Sequence, residues 1–334
     1  MGKKIAINGF GRIGRLFFRS VMENHPELEV VFINDLFEPK YLAYVLKYDS
    51  VFGRFKGTVE HTENSLIING KEIPVTAERD PANLPHTKFN VDVAVECTGF
   101  FVDRDGASKH LEAGAKRVLI SAPAKNPDIT VVLGCNDEKI KDEHKIISNA
   151  SCTTNCLGPI VKVLDDNYTI TQGIMTTIHS YTGNQNAVDT GKAGDPVKMI
   201  RGRACAVNII PTSTGAAKAI GEVYPHLKGK LDGFAMRVPT VNGSVVDLKV
   251  NVEKIPTVED INSKMKTAAE GELKGILSYT DDPIVSTDII GDPNSSVFSS
   301  IWTKVNGNMI SIVSWYDNEW AYSNRLAELI IKRL

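Results

Sequence analysis

The segment 151–156, with the sequence SCTTNC, has the residues best suited to chemistry because a cysteine stands at the predicted start of a helix. Ser151 is a favourable helix cap, and the first N–H groups of that helix would face the sulfur of Cys152. A positive helix end stabilises a thiolate, which is the nucleophilic form of cysteine. His179, in the strand-like run 176–180, is the natural base for this thiol. The pair therefore predicts catalysis by a sulfur nucleophile that is charged at rest.

Two other interpretations of Cys152 remain open at this point, a buried structural cysteine and a metal ligand. Its polar neighbours are unusual for a core position, although His179 alone would also fit a buried, hydrogen-bonded histidine. Cys156 lies four residues on, on the same helical face, but the sequence has no second Cys/His pair with zinc-type spacing. We therefore expect no metal site. The remaining cysteines are expected to be core residues: Cys97, Cys135 and Cys205.

A glycine-rich motif, GFGRIG at residues 9–14, follows a predicted strand and opens a predicted helix. In this context Gly9 permits a tight turn, Gly11 lets a pyrophosphate approach the backbone, and Gly14 permits close packing of helix on strand. Asp35 follows at the spacing expected for an acid that accepts hydrogen bonds from the adenosine ribose. Its charge would repel a 2′-phosphate, so the motif predicts NAD in preference to NADP. The alternative is a structural turn with an incidental acid.

A third group, the segment 212–218, combines hydroxyl side chains, a glycine and a predicted helix start. Such a combination suits a bound phosphate. Three arginines are candidates to complete the site, because guanidinium groups bind phosphate oxygens in a bidentate manner: Arg201, Arg203 and Arg237. Each of them could instead be a solvated surface charge. The sequence predicts one anion site in this region.

The periodicity of apolar residues divides the chain near Ala150. Before it, strands at 4–8, 29–35, 91–96 and 117–121 alternate with helices at 13–21, 40–48 and 103–113, which predicts a parallel sheet. Region 51–74, with a hairpin turn at Asn69-Gly70, breaks this rhythm and is expected to be an insertion. After Ala150, the alternation in 245–253 predicts an antiparallel sheet with one covered face, and 322–334 predicts an amphipathic terminal helix.

The composition excludes several functional classes. A net charge of −2 over 334 residues gives no electrostatic footprint for nucleic acid or an anionic membrane. No apolar run approaches the ~20 residues of a membrane span, and the N-terminus lacks the pattern of a signal peptide. Five cysteines, an odd number, favour a reducing compartment over a disulfide scaffold. We expect a cytoplasmic protein of about two domains.

These motifs occur together, and in the same order, in phosphorylating glyceraldehyde-3-phosphate dehydrogenases, which the chain resembles over nearly its whole length. The matching runs are 7–15, 46–50, 151–156, 209–219, 235–240 and 314–320. The resemblance implies a Rossmann-type doubly wound α/β domain that binds NAD, over 1–150 with 316–334 returning to it. It implies an α+β catalytic domain with a mostly antiparallel sheet over 151–315, and a homotetramer.

The resemblance also implies roles for single residues, with Cys152 as nucleophile and His179 as its activating partner. Positions that would contact NAD, besides the glycines, are Arg12, Ile13, Asp35, Arg79, Ser121, Asn318 and Tyr322. Positions around the attacking phosphate are Ser151, Thr153, Arg201, Thr214 and Gly215. Positions that would hold the C3 phosphate of the substrate are Thr182 and Arg237.

Three departures from the family pattern are visible. Asn184 stands where the family often has an acid, and segment 186–200 is longer than usual. In the family this loop touches the cofactor pocket of a neighbouring subunit, so cofactor discrimination and subunit packing are the features most affected. His86 stands where tryptophan is common.

The implied reaction is the oxidative phosphorylation of glyceraldehyde 3-phosphate to 1,3-bisphosphoglycerate with NAD reduction, a step of glycolysis and gluconeogenesis. It would proceed through a hemithioacetal and a thioester on Cys152. One alternative is erythrose-4-phosphate dehydrogenase, which ends in hydrolysis; the phosphate cluster 212–215 with Arg201 favours phosphorolysis. The other is a binding or adhesion protein that kept the fold, against which the retained Cys152, His179 and glycine loop argue.

Overall fold

The computed structural model describes residues 2–191 and 194–334, which divide into two compact units. The first unit contains residues 2–131, 137–150 and 323–334. The second contains residues 132–136, 151–191 and 194–322. None of the helices in these described ranges combines the length and the apolar character needed to cross a membrane.

The first unit is built on a mixed sheet with helices packed on it. Its strands are β1 (Lys3–Asn8), β2 (Leu28–Asn34), β3 (Tyr48–Asp49), β4 (Gly53–Arg54), β5 (Val59–His61), β6 (Ser65–Ile68), β7 (Lys71–Thr76), β8 (Val93–Glu96), β9 (Arg117–Ile120), β10 (Ile129–Thr130) and β11 (Ile146–Ser148). Its helices are α1 (Arg12–Asn24), α2 (Pro39–Lys47), α3 (His86–Phe89) and α4 (Arg104–Glu112). In the described residues the sheet order is β10-β11-β9-β8-β1-β2-β7-β6-β5, and β3 pairs with β4 separately.

The centre of this sheet is parallel, as the alternation of strands and helices predicts. Strand β1 pairs with both β2 and β8, and β8 pairs with β9. Parallel strands need crossover connections, and the helices that supply them bury both faces of the sheet. One apolar cluster includes Ala6, Phe32 and Ala94, and another joins Ala107 of α4 to Val118 of β9.

Region 51–74 interrupts the alternation of strands and helices, as expected. Its strands β5 and β6 form an antiparallel meander with β7, and β7 pairs in parallel with β2 through Ile33 and Val75. The region therefore extends the edge of the main sheet. The predicted hairpin turn is confirmed, because Asn69 and Gly70 have φ angles of 50° and 80°, as a type I′ turn requires.

The second unit contains a seven-stranded sheet, counted over its described residues, in the order β13-β14-β12-β15-β18-β17-β16. These strands are β12 (Ile170–Ser180), β13 (Ile210–Ser213), β14 (Leu231–Val238), β15 (Ser244–Val252), β16 (Leu277–Thr280), β17 (Ser296–Asn306) and β18 (Met309–Tyr316). The helices are α5 (Cys152–Tyr168), α6 (Pro196–Ile200), α7 (Ala216–Val223), α8 (Val258–Glu270) and α9 (Trp320–Arg333), the last of which runs into the first unit.

The second sheet is mostly antiparallel, and the fold class predicted from the sequence is confirmed. Only the β12–β14 and β16–β17 pairs are parallel among its described strands. Alternation in β15 places Val246, Leu248, Val250 and Val252 on the buried face, as expected. Helix α5 packs on β17 and β18, so its N-terminus is held in place by the sheet.

The C-terminal helix docks on the first unit through specific polar contacts. Ser20 donates a hydrogen bond to Asn324 at 2.8 Å, and Lys3 donates one to the carbonyl of Ile330 at 3.0 Å. An ion pair between Arg333 and Asp137 (2.6 Å) adds a third contact. Residues 323–334 are therefore part of the first unit although they follow the second in sequence.

Candidate active site

Cys152 is the first residue of α5, and the backbone just before it places its side chain at the helix N-terminus. Ser151 caps the helix as predicted, because its Oγ accepts a hydrogen bond from the backbone N–H of Thr154 at 3.0 Å. Ala150 has a φ angle of 52°, in the left-handed region that costs a residue with a Cβ about 1 kcal/mol or more. The chain thus makes a sharp, strained entry into the helix at the candidate nucleophile.

His179 lies near the end of β12, and its Nε2 is 3.6 Å from the Sγ of Cys152. The other ring nitrogen, Nδ1, is 2.7 Å from the carbonyl oxygen of Ser180, to which an Nδ1–H group donates. This hydrogen bond leaves the Nε2 lone pair directed at the sulfur. The imidazole is therefore oriented to accept the proton of the thiol.

Arg237 is brought to the same place by strand register, because β12 and β14 pair in parallel with His179 opposite Arg237. Its Nη1 donates to the Ser180 carbonyl at 2.8 Å, so that Arg237 and the Nδ1–H group of His179, whose nitrogens are 2.7 Å apart, share this carbonyl oxygen as acceptor. Burial, reinforced by this positive charge, lowers the pKa of His179 to about 3. The imidazole is consequently neutral near pH 7, which is the form that acts as a base.

The pKa of Cys152 bears on the expectation of a resting thiolate. Burial raises the pKa of its thiol, and the charge of Arg237 and hydrogen bonds with Thr153 oppose this effect only in part. Ionisation of Cys152 at rest therefore stays a prediction, which desolvation of the sulfur opposes. Negative charge on the sulfur is supported by Arg237 and the helix end, so the thiolate forms when His179 takes the proton.

Tyr316, at the end of β18, is a further residue of this site, and its role was not predicted from the sequence. Its hydroxyl is 2.8 Å from the hydroxyls of both Thr153 and Thr177, and its ring packs edge-on against His179 with centroids 5.9 Å apart. The Thr153 side chain is thus engaged with Tyr316, and its backbone remains at the helix start. No local signal marks Tyr316, because its role depends on which strands are neighbours.

The predicted anion site is partly assembled. Arg201 donates to the Thr212 hydroxyl and, at 3.1 Å, to the carbonyl of Ser213. Thr214 caps the next turn by accepting from the Ala216 N–H at 3.2 Å, and the exposed Gly215 precedes α7. The side chain of Arg201 and the start of α7 are therefore both located at strand β13. Arg203, by contrast, forms an ion pair with Asp189 at 2.9 Å.

Thr182 lies just beyond β12 and donates a hydrogen bond to the side chain of Asn184 at 3.1 Å. Asn184, which departs from the family pattern, therefore fixes the hydroxyl of Thr182. This hydroxyl is the one expected to contact a substrate phosphate. Of the longer segment 186–200, residues 192 and 193 lie outside the described part of the chain.

The glycine motif has the geometry expected of a dinucleotide-binding turn. Gly9 has a φ angle of 90°, and a Cβ there would lie 2.7 Å from the N of Thr98. A Cβ on Gly14 would lie 2.1 Å from the carbonyl oxygen of Gly9. At Gly11, which precedes α1, a Cβ would meet nothing within 4 Å, so the backbone is open to an approaching phosphate.

Asp35 lies beside this opening, where its two carboxylate oxygens accept hydrogen bonds from the N–H groups of Phe10 (2.7 Å) and Phe37 (3.0 Å). Each oxygen keeps acceptor capacity for a ribose hydroxyl. The cleft here has a volume of about 610 Å³, and its lining includes Asn8, Asn34, Glu78, Arg79, Thr98 and Phe100. An open backbone, an acid and a cleft of this size fit the adenosine diphosphate part of NAD.

Other predicted cofactor residues are placed differently. Arg12 forms an ion pair with Asp49, so its side chain does not line the cleft. Ser121 follows β9 and donates its backbone N–H to the Glu96 carbonyl. In the second unit, the buried Asn318 accepts from the Ser244 hydroxyl at 2.8 Å, and Tyr322 is buried.

Comparison with known proteins identifies close relatives of both halves of the chain. A family model described as the NAD binding domain of glyceraldehyde 3-phosphate dehydrogenase matches residues 3–104, and one described as its C-terminal domain matches residues 151–318. The chain is 55% identical over 332 residues to glyceraldehyde-3-phosphate dehydrogenase of Geobacillus stearothermophilus, covering 98% of this chain and 97% of that protein.

Two further relatives have similar coverage. Glyceraldehyde-3-phosphate dehydrogenase 1 of Bacillus subtilis is 54% identical, and glyceraldehyde-3-phosphate dehydrogenase 2 of Streptomyces avermitilis is 52% identical. In each case 98% of this chain and 97% of the relative are aligned. The similarity therefore extends over both units.

Proposed function

The chain belongs to the glyceraldehyde-3-phosphate dehydrogenase family, and on that premise we propose that Cys152 and His179 carry out its reaction. The protein is an NAD-dependent oxidoreductase that acts on glyceraldehyde 3-phosphate. The observation that carries the assignment is the 3.6 Å approach of His179 Nε2 to Cys152 Sγ at the N-terminus of α5. Nucleophile, base and helix end meet at one point, which is the arrangement that activates a thiol.

The first step is attack of the Cys152 sulfur on the aldehyde carbon, with the thiol proton passing to His179 Nε2. The oxyanion that develops is stabilised by backbone N–H groups at the start of α5 and then receives the proton from His179. The product is a hemithioacetal on Cys152. Because burial disfavours charge on both the thiol and the imidazole, proton transfer accompanies carbon–sulfur bond formation.

Oxidation of the hemithioacetal removes a hydride from carbon and a proton from its hydroxyl. His179 accepts that proton, and a thioester remains on Cys152. NAD, when bound, supplies the hydride acceptor, and its adenosine diphosphate part would be held by the glycine motif and Asp35. Among the described residues, no group of three or more His, Cys, Asp or Glu is arranged to hold a metal.

Phosphate attack on the thioester ends the cycle and releases an acyl phosphate and the Cys152 sulfur, which recovers its proton from His179. We assign the attacking phosphate to Ser151, Thr153, Arg201, Thr214 and Gly215, and the C3 phosphate of the substrate to Thr182 and Arg237. The Arg201 contacts with Thr212 and Ser213 support the first assignment, since they direct the guanidinium toward the start of α7.

The same proposal assigns NAD binding to residues 1–150 with 316–334, substrate binding to 151–315, and a homotetrameric assembly in the cytoplasm. Exposed apolar side chains on the second sheet support self-association, among them Ile174 (59% exposed), Phe234 (40%) and Trp302 (52%).

The test is NADH formation from glyceraldehyde 3-phosphate, measured with and without inorganic phosphate, for wild type, Cys152→Ser and Cys156→Ser. Cys156 is a matched control because it lies on the same helix face but is fully buried, and burial raises its pKa to about 12. We expect phosphate-dependent turnover in wild type and Cys156→Ser, and its loss in Cys152→Ser.

Each other outcome has a definite meaning. Turnover that ignores phosphate and prefers erythrose 4-phosphate would identify the hydrolytic relative. NAD binding without any turnover would favour a binding protein that kept the fold. Near-normal turnover by Cys152→Ser would eliminate the covalent route.

A further inference from the structure

A chain of buried polar side chains lies in the first unit and takes no part in the proposed reaction. His86, on α3, and His110, on α4, are both completely buried, and their ring nitrogens Nε2 and Nδ1 are 2.9 Å apart. His110 Nε2 is in turn 3.1 Å from the carboxylate of Glu96, at the end of β8, which is 1% exposed. Two imidazoles and a carboxylate in an apolar interior are costly unless their hydrogen bonds are satisfied.

The direction of these hydrogen bonds follows from their acceptor. The Glu96 carboxylate accepts from the Asn8 side chain at 2.6 Å and from the backbone N–H and hydroxyl of Thr98. Because Glu96 offers acceptor oxygens, we assign His110 Nε2–H as the donor to it and His110 Nδ1 as an acceptor; the Asn8 Nδ2 atom is also 3.4 Å from this Nε2. His86 then donates from Nε2–H, and the chain ends at His86 Nδ1, which is buried and has no partner.

The other end of the chain is the nucleotide cleft. Asn8 accepts from Asn34 at 2.7 Å, and Asn34 also binds the backbone of Glu78. All three residues line the cleft, as does Thr98. The side chains that a dinucleotide would meet at the ends of β1, β2 and β8 are thus tied, through Glu96, to two histidines behind the sheet.

We propose that His86 and His110 are positioning residues for the cofactor, because through Glu96 they fix the side chains of Asn8 and Thr98 at the nucleotide cleft. This inference rests on the proposed function, in which that cleft holds NAD. Loss of the His86 donor would leave His110 Nδ1 unpaired in an apolar interior, and His110 would reorient to find another donor. Glu96 would lose its partner and draw Asn8 and Thr98 into new positions.

The experiment compares His86→Gln with His86→Met, two side chains of similar length and shape of which only glutamine has an N–H donor. NAD affinity is measured by fluorescence titration of the intact enzyme, together with KM for NAD, KM for glyceraldehyde 3-phosphate, kcat and the unfolding temperature. We expect His86→Met to bind NAD about threefold to tenfold more weakly, the effect of one hydrogen bond in a buried network. Its kcat at saturating NAD and its KM for the aldehyde should match wild type.

Glutamine should restore NAD affinity to within about twofold of wild type. A purely structural role predicts instead that both variants lose unfolding temperature and keep their NAD affinity. Equal NAD affinity in the two variants, or a fall in kcat with no change in KM for NAD, would overturn the proposal. If His86→Met does not fold, His110→Gln and His110→Met supply the same comparison one position nearer the cleft, since glutamine both donates and accepts.

The cofactor site and the positioning role of the two histidines can be refuted separately. Wild-type protein that does not bind NAD would refute the cofactor site of the proposed function. Wild-type protein that binds NAD, with Gln and Met variants alike, would refute only the role of the histidines.

Discussion

The dinucleotide cleft of the first unit and the cysteine–histidine pair of the second both lie at strand ends, but they are built from different parts of the chain. In the cleft the decisive features are backbone conformation and space, at Gly9, Gly11 and Gly14. In the pair they are side chains, Cys152 and His179, which are held by neighbours from distant strands. The glycine turn of the cleft tolerates change wherever its backbone stays the same, whereas the pair depends on each side chain.

This difference decides how far each site extends through the fold. The glycine turn is completed within one strand, one turn and one helix. The thiol site needs α5 to present Cys152, β12 to present His179, β14 to present Arg237 and β18 to present Tyr316. A site assembled from four elements fails when any one of them is lost.

The largest expected effect tests this dependence on side chains. His179→Asn can still donate to the Ser180 carbonyl but has no base, so kcat/KM should fall by about 10²–10⁴-fold. NAD affinity, measured by fluorescence titration, should be unchanged. His226→Asn is the control, because that histidine is exposed and pairs with Asp165. A fall of less than tenfold for His179→Asn would show that another group takes the proton.

The second prediction tests the dependence of the cleft on backbone. A methyl group on Gly14 would lie 2.1 Å from the Gly9 carbonyl oxygen, so Gly14→Ala should destabilise the fold by about 1–3 kcal/mol. Gly11→Ala meets no atom within 4 Å, so it should leave the unfolding temperature unchanged and weaken NAD binding. Denaturant unfolding and NAD titration of both variants provide the measurement. If Gly11→Ala lost stability while Gly14→Ala kept its stability and only bound NAD more weakly, the geometry of the turn would be refuted.

The third prediction uses two buried histidines, His86 of the first unit and His179 of the second, whose pKa values are lowered to about 3 mainly by burial. Both bind a proton in the unfolded chain near pH 6.5 and remain neutral when folded. The unfolded state then holds more protons between these pH values, so stability falls as pH is lowered from about 6.5 toward 3.

Each of the two histidines should contribute a slope of about 1.4 kcal/mol per pH unit in that window. His86→Gln should remove the contribution of one histidine to this slope. His61→Gln, at an exposed position, serves as the control. Urea unfolding at a series of pH values measures the slope. Identical slopes for wild type and His86→Gln would mean that His86 is not neutral in the folded chain.

The smallest effect concerns cofactor choice, where the cleft does depend on a side chain. Asp35→Ala removes the charge expected to repel a 2′-phosphate, so the NAD/NADP preference in kcat/KM should relax by about tenfold, the effect of roughly one partly screened charge. Glu38→Ala, an exposed acid on the same loop, is the control. Unchanged selectivity in Asp35→Ala would remove Asp35 from this role.

The features that could be predicted from the sequence are those determined by short stretches of chain. The β1–turn–α1 motif, the Asn69-Gly70 hairpin, the alternation in β15 and the Ser151 cap each depend on neighbouring residues, and each is found as expected. Local geometry at such places is set by glycine conformations, capping side chains and the period of apolar residues.

The features that could not be predicted depend on pairing across the sheet or on burial. That β7 joins β2, and that Arg237 lies opposite His179, are facts of strand register between distant segments. The raised pKa of the Cys152 thiol follows from desolvation, which a helix-end effect alone does not include. The link from His86 to the cleft required the positions of α3, α4 and three strand ends.

The left-handed backbone of Ala150 has a consequence for when the thiol becomes reactive. An isolated or partly folded chain has no reason to maintain φ at 52° in an alanine and would relax to an ordinary conformation. The cysteine two residues later would then leave the helix end and behave like any other thiol. Folding enforces this unfavourable angle, so the enhanced chemistry of Cys152 is withheld from nascent or damaged molecules and arises only in the finished protein.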